Sequence, residues 1–215
     1  SVMRVLVGFS FAGIYITAES WLNASSTNET RGQALSAYMI MQMIGIIAAQ
    51  ALINLGSPAG FDLFIISSVL VSLAFTPILL AATPAPAFGA MKRMSIRRLY
   101  EVSPLGCIGI FIMGGVFSAL LGMTAVWGTI LQMSVRDISA IVAAVYLGGL
   151  IAQFPIGWLS DRMDRRLLIL QLLLLGVALV VLLLVFQPGI WGIIAVAAIA
   201  GGVANPVYAL LLAFA

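Results

Sequence analysis

Seven apolar runs, each close to the length that a bilayer demands, constrain this chain more than any other feature. A helix needs roughly 20 apolar residues to cross the hydrocarbon core. Runs of that size fall at 3–22, 34–55, 61–82, 104–129, 138–158, 166–187 and 189–213, joined by short connectors. Only 8% of the residues are charged and 63% are hydrophobic, against about 25% charged in soluble domains. Lipid must therefore take up most of this surface. A membrane-barrel strand would alternate in polarity, and these runs do not. The expected fold is all-α and polytopic, with seven transmembrane helices.

The few basic residues are distributed asymmetrically. Connectors 23–33, 83–103 and 159–166 hold Arg31, Lys92, Arg93, Arg97, Arg98, Arg162, Arg165 and Arg166, whereas the opposite connectors hold only Arg136. Basic loops stay on the cytoplasmic side, which places these three connectors inside. Connector 83–103 is the longest. It begins with Pro84 and Pro86 and carries a basic amphipathic stretch, Met91 to Tyr100, suited to the anionic membrane surface. It divides the chain into a three-helix part (1–82), a linker (83–103) and a four-helix part (104–215). Ser1 and Ala215 both sit at apolar runs, which reads as an internal piece of a longer protein. The lone Cys107 lies inside a span, as a small hydrophobe would.

The charge is densest in Gly157-Trp158-Leu159-Ser160-Asp161-Arg162-Met163-Asp164-Arg165-Arg166, between the fifth and sixth runs. An aspartate where a helix leaves the membrane accepts hydrogen bonds from a neighbouring helix N-terminus or pairs with arginines. Gly157 permits close helix approach. Such a cluster acts as a latch, or simply as a topology signal. Its pattern, Gly-x-Leu-x-Asp-Arg-x-x-Arg-Arg, resembles the cytoplasmic-loop signature of the major facilitator superfamily. Arg4-Val5-Leu6-Val7-Gly8 is similar to that superfamily's fourth-helix motif, with Val7 where glutamine is usual. Ala18-Glu19-Ser20-Trp21, Arg31-Gly32, Ser36-Ala37-Tyr38-Met39 and Gln153-Phe154-Pro155-Ile156-Gly157 look like the YcaD-like bacterial branch. The resemblance implies helices four to ten of a twelve-helix, two-bundle transporter in the bacterial inner membrane. It also implies a cytoplasmic gate formed by Gly157, Asp161, Arg162, Arg165 and Arg166. Asp164 replaces the signature's usual glycine. The second run lacks the Gly-Pro pair of drug/proton antiporters.

Arg4 and Glu19 are the charges set within an apolar run, and intramembrane charge is a functional candidate. Residues 4, 8, 12, 15 and 19 share one helical stripe, so Tyr15 joins them on it. At 1.5 Å per residue the two charges stand roughly 22 Å apart, too far to pair, and Arg4 can instead snorkel to the outer edge. Gln42, Tyr146, Gln153 and Asn205 are mid-span polar residues, expected to line a central path or to bond between helices. Gly114, Ser118 and Gly122 form a small-residue stripe suited to helix packing. Pro155 and Pro206 each remove a helical hydrogen bond. Gly8 and Tyr15 recur in spacing as Gly201 and Tyr208, a hint of the internal repeats of transporters.

Other classes fit poorly. Asp161-Arg162-Met163 and Asn205-Pro206-Val207-Tyr208 imitate receptor motifs in the wrong places, and a retinal protein needs an intramembrane lysine, whereas Lys92 is in the linker. Without histidine, an acidic pair or a metal-ligand cluster, an enzyme is disfavoured, and no metal or other cofactor is expected. The expectation is a secondary transporter acting on a small-molecule substrate, with a coupling ion such as a proton. Lipid would be its surrounding partner, and nucleic acid plays no part. The alternative is a non-transporting sensor on a transporter fold.

Overall fold

A computed structural model describes residues 2–27, 31–57, 60–80, 95–160 and 162–212. Every regular element among them is helical. The order is α1 (Val2–Ser25), α2 (Arg31–Leu52) with a 3₁₀ turn (Ile53–Leu55), α3 (Asp62–Leu80), α4 (Ile96–Val102) and α5 (Pro104–Phe117). A π-helical segment (Ser118–Met123) then leads into α6 (Thr124–Ile130), followed by α7 (Val135–Ser160), α8 (Arg165–Phe186) and α9 (Ile190–Leu212). Six stretches are long and apolar enough to cross a bilayer, counting Pro104–Ile130 as one. The seventh run is present as α3, whose described apolar stretch, Asp62–Pro77, is shorter. The helices overlie the seven apolar runs to within a few residues.

The ends follow local chemistry. Ser134 Oγ accepts from Asp137 N at 3.1 Å and donates to its carboxylate at 2.7 Å, a reciprocal cap that starts α7. The Asp164 carboxylate accepts from Arg166 N at 2.7 Å and starts α8. Gln187 closes α8 in the left-handed region, φ 40°, just before Pro188. Of the basic stretch 91–100, the described part is the start of α4. Its cap, the Ser95 hydroxyl, accepts from Arg98 N at 3.2 Å. Lys92, Arg93, Pro84 and Pro86 lie outside the described residues.

Two compact units emerge, residues 2–42 with 70–80 and residues 43–69 with 95–212. In the first, α1 presents Phe9 at 80% exposure and Ile16 at 65%, the pattern of a lipid-facing helix. In the second, α5, α8 and α9 share a core of Met113, Leu168, Ile169, Leu172, Val203, Val207 and Leu211. The α7 and α9 helices pack at backbone distance. A Cβ added to Gly148 would collide with the Ala198 carbonyl, and one on Gly201 with the Val145 carbonyl. Between lipid-embedded helices the attraction is van der Waals packing rather than hydrophobic exclusion, and small residues bring it to full strength. Pro155 and Pro206 both lie inside these helices. At the far end of α7, the 3₁₀ turn after α2 docks through Asn54 Nδ2, which donates to the buried Ser139 Oγ at 3.0 Å.

Among the described residues, no neighbour packs on the glycines of the expected small-residue stripe, which runs from α5 into the π segment. A Cβ on Gly114 or Gly122 meets nothing within 4 Å. Ser118 and Gly122 lie in the π segment, whose i→i+5 bonding adds a residue to the turn and breaks the i, i+4 register.

Candidate functional site

Where the last turns of α7 and α9 meet the arginine-bearing start of α8, a cavity of about 170 Å³ is walled by Gln153, Ile156, Gly157, Ser160, Arg165, Pro206, Ala209 and Leu210. Three of these are candidate site residues named from the sequence: Gln153 on α7, Gly157 one turn later, and Arg165 at the start of α8. The i, i+4 spacing puts Gln153 and Gly157 on one face. Gly157 leaves that face open, with nothing among the described residues within 4 Å of where a Cβ would stand. Its carbonyl accepts from Ser160 Oγ at 2.7 Å. Gln153 Oε1 is buried with no hydrogen-bond partner among the described residues. A buried acceptor left unpaired costs about 1–3 kcal/mol, so the cavity holds a standing demand for a donor. Water or a solute N–H or O–H would meet it.

The other residues of the charged connector go elsewhere. Arg162 stacks its guanidinium on the Trp158 ring, 3.6 Å from the centroid, a cation–π contact. Its backbone N–H and that of Met163 both donate to the Leu159 carbonyl, at 3.0 and 3.2 Å, folding the connector back over the end of α7. Arg166 follows Arg165 by one position, about 100° around the helix. It lines a separate groove with Pro104, Leu105, Ile169, Leu170 and Leu173. Asp161 lies outside the described residues.

The remaining polar candidates are dispersed. Tyr146 borders a second cavity of about 450 Å³ toward the far end, whose walls include Gln50, Leu121, Thr129 and Ser139. Asn205 turns to its own helix and donates to the Gly201 carbonyl at 3.0 Å, while its side chain fills the space over Gly149. Tyr15 stacks on Phe11, with centroids 6.3 Å apart. Glu19 and Gln42 are half-buried in α1 and α2. Arg4 belongs to α1, but its side chain lies outside the description. Sequence reading did not anticipate Ser160 and Pro206 as cavity walls. The i, i+3 step from Gly157 to Ser160 was the available signal for the first.

Comparison with known proteins accords with this architecture. The family model described as Major Facilitator Superfamily matches residues 106–215, the stretch that builds most of α5 through α9. An uncharacterized MFS-type transporter of Yersinia pestis (strain Pestoides F) is 29% identical over 175 residues, 77% of this chain and 44% of the relative. The uncharacterized MFS-type transporter YfkF of Bacillus subtilis is 26% identical over 181 residues, 81% of this chain and 46% of the relative. The uncharacterized MFS-type transporter YcaD of Escherichia fergusonii is 27% identical over 168 residues, 77% and 44%. The chain thus spans less than half the length of these curated relatives. No solved structure matches it. The sequence signature in the connector, the lipid-exposed helices and a family match over half the residues converge: the chain belongs to the Major Facilitator Superfamily.

Proposed function

We propose that this chain is part of a secondary transporter that moves a small solute, with a coupling ion such as a proton, across the bacterial inner membrane by alternating access. The observation that carries the reading is the cavity between α7 and α9, where the unpaired Gln153 acceptor sits one helical turn from Gly157 and faces the same space as Arg165. A solute-binding polar group adjoining the charged connector is what a gated pathway requires. In this reading residues 1–82 and 104–215 contribute to two bundles joined by linker 83–103, and the bundles rock about a midplane site.

Alternating access predicts a two-sided reaction. In a cysteine-free version of the full-length protein, single cysteines at Gln153 and at Tyr146 should each react with an impermeant maleimide from either face of the membrane. Intact cells and inside-out vesicles supply the two faces. Reaction from one face only, under all conditions, would remove transport and leave a fixed receptor-like body.

The orientation has its own test. Cysteines at Ser95 and Met163 should resist the same reagent in intact cells, while those at Ser57 and Ser134 should be labelled, because basic connectors are retained inside. The reverse pattern would overturn the cytoplasmic placement of the connector motif.

A further inference from the structure

The motif's two consecutive arginines open onto different spaces, and the second space is unlike a solute pathway. Arg166 stands at the mouth of a groove of about 560 Å³ between the start of α5 and α8, whose other walls are Pro104, Leu105, Ile169, Leu170 and Leu173. Apart from Arg166 the lining side chains are all apolar, and along α8 they reach seven positions on, to Leu173, about 10 Å along the helix axis. Leu105, Leu170 and Leu173 are 43%, 52% and 46% exposed, so the groove is open along its side among the described residues. A single charge sits at one end. Next to that end lies α4, separated from α5 by Ser103 alone, with Arg97 and Arg98 exposed on it. Arg97 is engaged by Glu101 at 3.1 Å.

We propose that this groove is a binding site for one anionic phospholipid of the leaflet that faces the arginine-rich ends. The phosphate contacts Arg166, with Arg98 adding to the positive potential, and an acyl chain lies along Ile169, Leu170 and Leu173. Charge complementarity selects this occupant. An acyl chain alone would satisfy the apolar wall, but it gives no use to a guanidinium at headgroup depth. Basic pockets between membrane helices recognise anionic headgroups by this pairing of a cation with an apolar slot. The arginine offers a planar, bidentate match to phosphate. The site depends on membrane embedding and not on what the protein transports.

Native mass spectrometry of the full-length protein, titrated with dioleoyl phosphatidylglycerol and dioleoyl phosphatidylcholine, reads the preference directly. Wild type should retain the anionic lipid about fivefold more, the effect of roughly one basic residue at the surface. Arg166→Gln should abolish the preference, and Arg166→Lys should keep most of it, which separates charge from folding. Leu170→Trp should fill the slot and lower retention of both lipids. Arg136→Gln, at the opposite end, should change nothing. Equal retention of both lipids by wild type overturns the proposal. So does an undiminished preference in Arg166→Gln, an equal loss in Arg136→Gln, or displacement of the lipid by millimolar inorganic phosphate. Unaltered retention in Leu170→Trp also overturns it, since another segment of the protein would then fill the groove.

Discussion

Gly148→Leu, and separately Gly201→Leu, should cost the full-length protein about 3 kcal/mol or more and collapse its thermal transition in detergent. Overpacking a filled core typically costs about 1–3 kcal/mol, because neighbouring side chains absorb part of the insult. Neither of these sites has that relief. The first atom that a new Cβ meets is a main-chain carbonyl, of Ala198 or of Val145, so accommodation requires α7 and α9 to separate. Separation would also uncover Asn205, which sits against Gly149. Gly176→Ala is the contrasting case. Its nearest neighbour would be Val203 Cγ1 at 3.8 Å, an ordinary contact, and its stability should shift by less than about 1 kcal/mol. Scanning fluorimetry of the three variants tests the ordering. A Gly148→Leu transition within a degree or two of wild type would mean that the two backbones do not touch.

The second large effect is conformational. Asp161→Asn should shift the balance between cytoplasmic-open and cytoplasmic-closed states about 5–150-fold, the usual span of a coupling of 1–3 kcal/mol. The readout is the labelling rate of a cysteine at Gln153 from the cytoplasmic face. We propose Arg165 as the partner of this aspartate. Arg165 borders the cavity that holds Gln153, and Arg166 points to the groove beside α5. Asp161→Asn and Arg165→Gln should therefore combine to much less than the sum of their separate effects, whereas Asp161→Asn and Arg166→Gln should add. Neighbours that share a contact couple by 0.5–3 kcal/mol, and independent sites add to within about 0.5 kcal/mol. Additivity in both pairs would reduce the motif to a topology signal.

The spans were legible because the bilayer sets their length, and a run such as 166–187 admits little besides the observed Arg165–Phe186. Connector chemistry was legible where it is local. Asp164, unusual for the signature, caps α8 by accepting from the Arg166 N–H two residues on. What escaped the sequence depends on rotation about helix axes. Nothing in the order of Arg165 and Arg166 says which of two clefts each will face, since that follows from how α8 seats its Leu168 and Leu172 in the core. Nor does a mid-span asparagine announce whether it will line a path or, like Asn205, bond one turn back to its own helix. The π segment at Ser118–Met123 left no trace in a uniformly apolar run.

The intimate contact between α7 and α9 has a consequence for how the protein is made. The two helices are not neighbours in the chain, and all of α8 lies between them. A ribosome-bound chain that has just inserted α7 therefore holds its glycine face, Gly148 and Gly149, against lipid. It must keep it there until two more helices have crossed. Helix insertion precedes helix association in the two-stage picture of membrane folding, and here the interval spans a complete hairpin. During that interval the face is a sticky edge, open to capture by any small-residue helix nearby. The turn at Gln187-Pro188-Gly189 is short, so α9 emerges already tethered beside α8 and needs only a small search to reach α7. Lengthening that turn would leave the finished packing intact while slowing its assembly, an effect visible in the yield from cells and not in the stability of the purified protein.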